Sequence, residues 1–363
     1  MRYKLHIFIL FVLAPFLGLG IAYGQLQPFS LNATKALSMP NGAFQEESAK
    51  ISRQLYDLQE SIWETRAAVE TSHRLISLIR ADAYAELEAY RQQHSHLQSL
   101  VEASAAQRHA SGDMIDYVLA NMLGDPVGQT FGANATIKVY SLEEVGYRGY
   151  MAKVRLHKTS ALRMVLAGDQ VGGPGETTSA AAKRSGAILA VNAGGFFAHE
   201  GGLLPIGITV VDGEILTFAT HDTDLSFVGF NRSGQLVGGQ VNTKEQLEAM
   251  GVLHGASFLP TLLKDGKKQS IPSAWKNTRH PRTLIGHFDN DDLLFIVIDG
   301  RREGWSMGVT LEEAQDKLLE FKVRDAYNLD GGGSSTFYYD GKVLNLPSGG
   351  AERRVTTNLV IIS

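Results

Sequence analysis

The first pattern along the chain is an apolar run near its start. Residues Ile7 to Tyr23 carry no charge and follow Met1-Arg-Tyr-Lys4, which holds two positive side chains. A positive start before such a run reads as an export signal, with Ala22-Tyr-Gly24 as the small-residue cleavage site, or as an uncleaved membrane anchor with its positive flank inside. Residues 1–24 are therefore assigned to a signal peptide or anchor, and 25–42 to a linker. Both versions place the remainder outside the cytoplasm, in the cell envelope or secreted.

A second pattern fills residues 43–111, which contain neither glycine nor proline. Ile51, Leu55, Leu58, Ile62, Thr65, Val69, Ser72, Ile76, Ile79, Ala83, Tyr90, Leu97 and Leu100 follow alternating spacings of three and four, with Glu86 and Gln93 interrupting. That period predicts an amphipathic helix with a coiled-coil seam, about 100 Å long if unbroken at 1.5 Å per residue. A break near 71–74 into two antiparallel helices is the rival. The segment reads as a stalk, compatible with a homo-oligomer through residues 43–111, and 112–134 reads as a second linker.

From about residue 135 short apolar runs alternate with turn signals. Asp-Gly pairs at 212–213, 265–266 and 340–341, and Ser-Gly at 233–234, predict hairpins. Two helices interrupt them, at about 176–185 and from Thr310-Leu-Glu-Glu313, a capping box. Leu293–Ile298 reads as a buried strand ending at Asp299. The capped helix follows, and then a strand Ala326–Leu329 ends at Asp330. Strand, helix and strand in that order predict two parallel strands joined by a right-handed crossover. The fold class is α+β: a mixed β-sheet domain over 135–363 with crossover helices and many hairpins, behind the anchor and the helical segment.

Composition narrows the chemistry. The 363 residues carry a net charge of −4, which gives no electrostatic footprint for nucleic acid. There is no cysteine, so disulfides, thiolate metal sites and a cysteine nucleophile are excluded. Glycine, by contrast, numbers 38, more than the hairpins alone use.

The surplus glycine flanks one predicted sheet edge. Asp299 and Asp330 fall at the same ends of two strands, where ligands bind in such units. If a four-residue turn joins Arg282–Phe288 to the next strand, Arg282 faces Asp299 across the ladder. Asn192, at the end of a strand Ala187–Val191, is a further candidate for that edge. Gly331, Gly332 and Gly333 would offer backbone amides to an anion, Ser334 a hydroxyl, and Arg282 a two-pronged guanidinium. Two carboxylates near a bound phosphate point to a substrate with both a phosphate and a sugar. Phe196, Phe197, Trp275 and Trp305 would serve a glycan-binding module equally well. A loop Asp289-Asn-Asp-Asp292 leaves room for a divalent cation; no cofactor is otherwise implied, and metal ligands are not assigned.

The residues Asn192-Ala-Gly-Gly-Phe-Phe197, Pro281-Arg-Thr-Leu-Ile-Gly-His287, Ile298-Asp-Gly-Arg301, Gly308-Val-Thr-Leu-Glu-Glu313, Asn328-Leu-Asp-Gly-Gly-Gly-Ser-Ser335 and Arg353-Arg-Val-Thr356 together resemble the phosphodiester glycosidase family. The resemblance spans about 135–363. It implies hydrolysis of a sugar-1-phosphodiester in a phosphate-containing glycan, releasing the sugar and leaving a phosphomonoester. Some bacterial members of the family are linked to exopolysaccharide. On this reading Asp330 and Asp299 are catalytic, while Arg282, Thr283, Asn192, Gly194, Gly195, Gly331–Gly333, Ser334 and Arg353 bind substrate or phosphate. The alternatives are a non-catalytic wall or exopolysaccharide binder, and a metal-dependent phosphodiesterase that breaks the P–O bond.

Overall fold

A computed structural model describes residues 41–220 and 225–363. The apolar run Ile7–Tyr23 lies outside the described residues. No helix among the described residues is long and apolar enough to cross a membrane. The chain divides into two compact units, 1–99 and 100–363.

Among the described residues the first unit contributes one element. The helix Asn41–Leu123 is unbroken, so the hairpin rival with a break near 71–74 is not adopted. Its seam residues Leu55, Leu58, Ile62, Val69, Ile76, Ile79, Tyr90 and Leu97 are all exposed. Residues 112–134 are not a linker. The helix continues through 123 and the first strand, Gly128–Phe131, follows. Leu119 explains the continuation: it is fully buried in the core of the second unit. Asp116, one turn earlier, accepts from Lys138 at 2.7 Å and from Lys153 at 2.6 Å.

The second unit is built on an eight-stranded sheet. Its strand order is Gly128–Phe131, Ala135–Glu144, Tyr147–Leu156, Leu293–Ile298, Arg282–His287, Asp325–Leu329, Thr261–Lys264 and Lys267–Lys268. Strand Leu293–Ile298 shows why its run is apolar at every position. Leu293, Phe295 and Val297 join one core cluster and Leu294, Ile296 and Ile298 the other, so both faces are covered. One cover is the helix Leu311–Glu320, capped by Thr310 and Glu313 as the sequence signals. On the other face lie residues of two five-stranded sheets. One of these runs Lys342–Val343, Phe337–Tyr339, Leu189–Asn192, Thr357–Ile361 and Leu162–Leu166.

The predicted hairpins form. Asp212-Gly213, Asp265-Gly266 and Asp340-Gly341 all have positive φ at both positions, the backbone that two-residue hairpins prefer. The two strands joined by the capped helix share one sheet, as predicted, without being neighbours. Strands Leu293–Ile298 and Asp325–Leu329 run in the same direction, but Arg282–His287 lies between them and pairs antiparallel with both. Every ladder among the described residues is antiparallel, so the sheets are not mixed. An α+β arrangement remains, and Asp299 and Asp330 still end at one edge.

The register differs from the expectation by one residue. Phe288 N donates to Asp292 O at 2.9 Å, and Asp291 adopts φ 65°. That closes a three-residue turn with a left-handed last position. Arg282 therefore opposes Ile298 rather than Asp299. Because side chains alternate across a strand, a one-residue shift moves Asp299 to the opposite face from Arg282.

Candidate active site

The edge where Asp325–Leu329 ends and Arg282–His287 begins opens into a cleft of about 260 Å³. Arg282, His280, Arg301, Arg353, Asp330 and Gly331–Gly333 line it, with Phe258 and Trp275 as apolar walls. A second hollow of about 450 Å³ shares Asp330 and Arg353 and is walled by Pro174, Phe196, Ala198, Leu203 and Arg354. Asp330 therefore stands at the junction of two lobes, one lined by Arg282, Arg301 and Arg353 and the other by Arg353, Arg354 and four apolar side chains.

Among the described residues Asp330 is the one carboxylate that lines either lobe. Burial pushes its pKa up to about 6, opposed by Ser334, by the positive charge of Arg353 and by the Gly331 amide. The Ser334 hydroxyl is fully buried and forms no hydrogen bond of good geometry, although it lies near enough to Asp330 to oppose that rise. The backbone of Asp330 is fixed from two sides. Its N–H donates to Ala193 O at 2.9 Å, and Asn192 Nδ2 donates to its carbonyl at 2.5 Å.

Arg282 is 2% exposed, and its guanidinium donates to the carbonyl oxygens of Val309 and Thr278 at 3.3 and 2.9 Å. Burial and the charge of Arg301 lower its pKa to about 10, with Glu312 acting the other way. Arg301 donates to His280 Nδ1 through Nε and Nη2 at 3.4 and 3.1 Å. Arg353 lies over the Phe196 ring, 5.4 Å from its centre. Among the described residues, none of these three arginines forms an ion pair with a carboxylate. Three guanidinium groups against one carboxylate leave a strong excess of positive charge, which suits an anionic ligand.

Several predicted site residues hold the cleft rather than line it. Asn192 is fully buried; its Oδ1 accepts from Thr283 Oγ1 at 2.8 Å and from Thr336 N at 3.1 Å. Thr283 is likewise fully buried and committed to Asn192. The Gly194 and Gly195 amides donate to Thr357 Oγ1 and Ser257 O. A Cβ at Gly194 would come within 2.8 Å of the Ala256 Cβ, so close packing explains the glycine. The expected nest of amides is largely spent. Gly332 N donates to Pro281 O at 2.9 Å, and the Gly331 amide supports the Asp330 carboxylate. The anion-binding capacity falls to the arginines.

Asp299 is not brought to the cleft. Its carboxylate accepts from Trp305 Nε1 at 2.9 Å, from Asn345 Nδ2 at 3.0 Å and from Leu346 N at 3.0 Å, and it is 2% exposed. It joins the loop after its strand to the segment around 345. An Asp299→Asn variant would turn an amide N–H towards these donors. We expect it to lose about 1–3 kcal/mol of stability, as for a broken buried hydrogen bond. Its turnover per folded molecule should stay near wild type; urea titration and active-site-normalised kinetics check both.

His280 and Arg301 were missed as site residues, although a signal exists. His280 lies two residues before Arg282 and Arg301 two after Asp299, so antiparallel pairing carries both past the same sheet edge. Of the predicted aromatic platforms, Trp275 and Phe196 line the lobes. Trp305 is committed to Asp299 and to Arg148, which stacks 4.6 Å from its ring centre. Among the described residues no group of three or more His, Cys, Asp or Glu side chains is arranged to hold a metal. Asp292, in the loop read as a cation site, is instead held by Lys153 at 2.7 Å and Arg155 at 3.3 Å.

The profile described as "Phosphodiester glycosidase" matches residues 185–362, which hold Asp330 and all three arginines. The segment that contains them thus matches the phosphodiester glycosidase family. The chain is 30% identical over 200 residues to bovine (Bos taurus) N-acetylglucosamine-1-phosphodiester alpha-N-acetylglucosaminidase, covering 49% of this chain and 37% of that one. It is also 30% identical over 195 residues to the SPbeta prophage-derived uncharacterized protein YomE of Bacillus subtilis (strain 168), covering 51% and 29%. The chain thus spans well under half the length of these curated relatives. The zebrafish N-acetylglucosamine-1-phosphodiester alpha-N-acetylglucosaminidase catalytic domain, auto-inhibited by its pro-peptide, shares the fold. It superposes with a TM-score of 0.53 at 21% identity, covering 63% of this chain and 83% of that one.

Proposed function

We propose that the chain is an extracytoplasmic hydrolase that cleaves the sugar side of a sugar-1-phosphodiester in a phosphate-containing glycan. The observation that carries this reading is the uncompensated arginine triad facing Asp330. The phosphodiester sits on Arg282, Arg301 and Arg353, and the sugar occupies the lobe walled by Phe196 and Leu203. Asp330 acts at the anomeric carbon, as base towards water or as nucleophile. The anomeric C–O bond breaks with its electron pair going to the phosphate oxygen. Water supplies the new sugar hydroxyl, and its other proton passes through Asp330 to solvent. The phosphomonoester is a good leaving group, so one carboxylate suffices and Asp299 is not required at the reacting atoms.

The direct test is turnover of a panel of sugar-1-phosphodiesters by the full chain in 18O-water. A phosphomonoester free of label supports C–O cleavage. Label in the phosphate would favour a phosphodiesterase instead, and binding without release would favour a glycan-binding protein. A pH profile adds a second check. Asp330 must be ionised to act and its pKa is raised to about 6, so kcat/KM should fall as pH drops below about 6 and level off above it. A profile flat from pH 5 to 7 would remove the carboxylate from the reaction.

The helical stalk is proposed to self-associate through the exposed stripe of Leu55, Ile62, Val69 and Ile76. A long helix seldom stands alone with such a stripe in water. Sedimentation equilibrium of the full chain and of an Ile62→Glu, Val69→Glu variant checks this, with a fall in mass expected for the variant.

A further inference from the structure

Arg301 and His280 form a contact that only one arrangement of protons allows. Both Arg301 groups within reach of the ring, Nε and Nη2, are N–H donors and neither can accept. Both converge on His280 Nδ1, so Nδ1 is the acceptor and the ring proton sits on Nε2. That nitrogen has no hydrogen-bond partner among the described residues. It is not a buried orphan either, and His280 lines the cationic lobe. Burial and the charges of Arg301 and Arg282 push the His280 pKa down, which keeps the ring neutral.

Two features hold Arg301 to this task. Its backbone is left-handed, φ 59°, a conformation that costs a non-glycine residue free energy and persists only where the surroundings enforce it. Its guanidinium also lies against Gly332, where a Cβ would come within 3.2 Å of Nη2. Gly332 itself has φ 61°, so a side chain there would both strain the turn and crowd Arg301.

We propose that His280, as the neutral Nε2–H tautomer fixed by Arg301, donates a hydrogen bond to the substrate phosphate and is a further catalytic residue, with Arg301 positioning it. The inference rests on the reading that a phosphodiester occupies this lobe. As the C–O bond breaks, negative charge builds on the phosphate oxygen, and a preset donor there is worth more in the transition state than in the ground state. A neutral imidazole is too weak an acid to give up its proton, so it acts as a donor and ends the step unchanged.

The test has two arms on the full chain. In 15N-histidine NMR, assigned with His280→Gln, the His280 signal should show protonated Nε2 and bare Nδ1. Inorganic phosphate should shift Nε2, and Arg301→Met should mix the tautomers. In kinetics, His280→Leu should lower kcat about 100-fold, as for loss of one preset donor, with KM changed far less and Tm retained. His280→Gln, which keeps an N–H at similar reach, should recover part of the loss. A proton found on Nδ1, no response of Nε2 to saturating phosphate, or His280→Leu turnover within twofold of wild type would each overturn the proposal. If the wild type turned over no sugar-1-phosphodiester, the functional reading would fail, while the phosphate titration would still decide whether His280 is an anion donor.

Discussion

Asp330→Asn is expected to lower kcat on a sugar-1-phosphodiester by about 1,000-fold, within the range for loss of a general base or nucleophile. The variant should also be more stable at neutral pH. The sign follows from linkage. The folded state holds the Asp330 proton up to about pH 6, while in the unfolded chain the carboxyl ionises near its ordinary value of 3.8. Ionisation therefore costs folding stability as pH rises through that interval, and the cost stays in place above it. An asparagine never ionises and escapes it. Thermal unfolding at pH 5 and pH 8 should show the variant's advantage growing with pH. Retained turnover, or a variant that is less stable at pH 8, would contradict the assignment.

Arg282→Met is expected to reduce kcat/KM by about 100-fold, the scale for losing a charge-assisted contact to a phosphate. Its Tm should be unchanged or higher. A guanidinium 2% exposed and bonded, among the described residues, only to carbonyl groups carries a desolvation cost that no described carboxylate offsets at contact distance. Removing it leaves little unsatisfied, since Val309 O still accepts from His280 N. Gain of stability with loss of function is the mark of a group kept for a ligand. A clear fall in Tm would instead mean that Arg282 serves the fold. Differential scanning calorimetry with and without phosphate separates the two, because phosphate should stabilise wild type more than the variant.

The two variants sample different parts of one design. Asp330 is made reactive by burial at the junction of two lobes, and Arg282 is made needy of an anion by burial without a partner. Asn192 and Thr283 link them: one chain of hydrogen bonds runs from Thr283 through Asn192 to the backbone of Asp330. Thr283 directly follows Arg282 in the strand, so displacement of that strand would reach the carboxylate through Asn192.

Much of this was legible in the residues. The Asp-Gly turns, the capping box at Thr310 and the glycine-free helix depend on local backbone preferences, which neighbours in sequence settle. The fully apolar run Leu293–Ile298 reported a strand covered on both faces. Strand ends then brought Asp330 and Arg282 to one edge without any knowledge of the tertiary fold. Two further decisions were not local. The strand Arg282–His287 lies between the two parallel strands that the sequence joins through a helix, because a short turn pairs it at once with Leu293–Ile298 and leaves its other edge free for Asp325–Leu329. A one-residue difference in that hairpin's turn then placed Asp299 on the other face, among Trp305, Asn345 and Leu346.

The glycines divide in the same way. Their positions beside the site were readable, but their role was not, because an amide's partner is a matter of distance across the fold. Gly332 N is taken by Pro281 O, and Gly194 N by Thr357 Oγ1, so the expected cradle is made of guanidinium groups instead. The sequence by itself determined the turns, the long helix, the family resemblance and the sheet edge where Asp330 and Arg282 meet. Only the tertiary structure decided which carboxylate faces the cleft and that His280 and Arg301 belong to it. The physical reason is that side-chain direction in a strand reverses with each residue, so the site depends on a register that no local preference fixes.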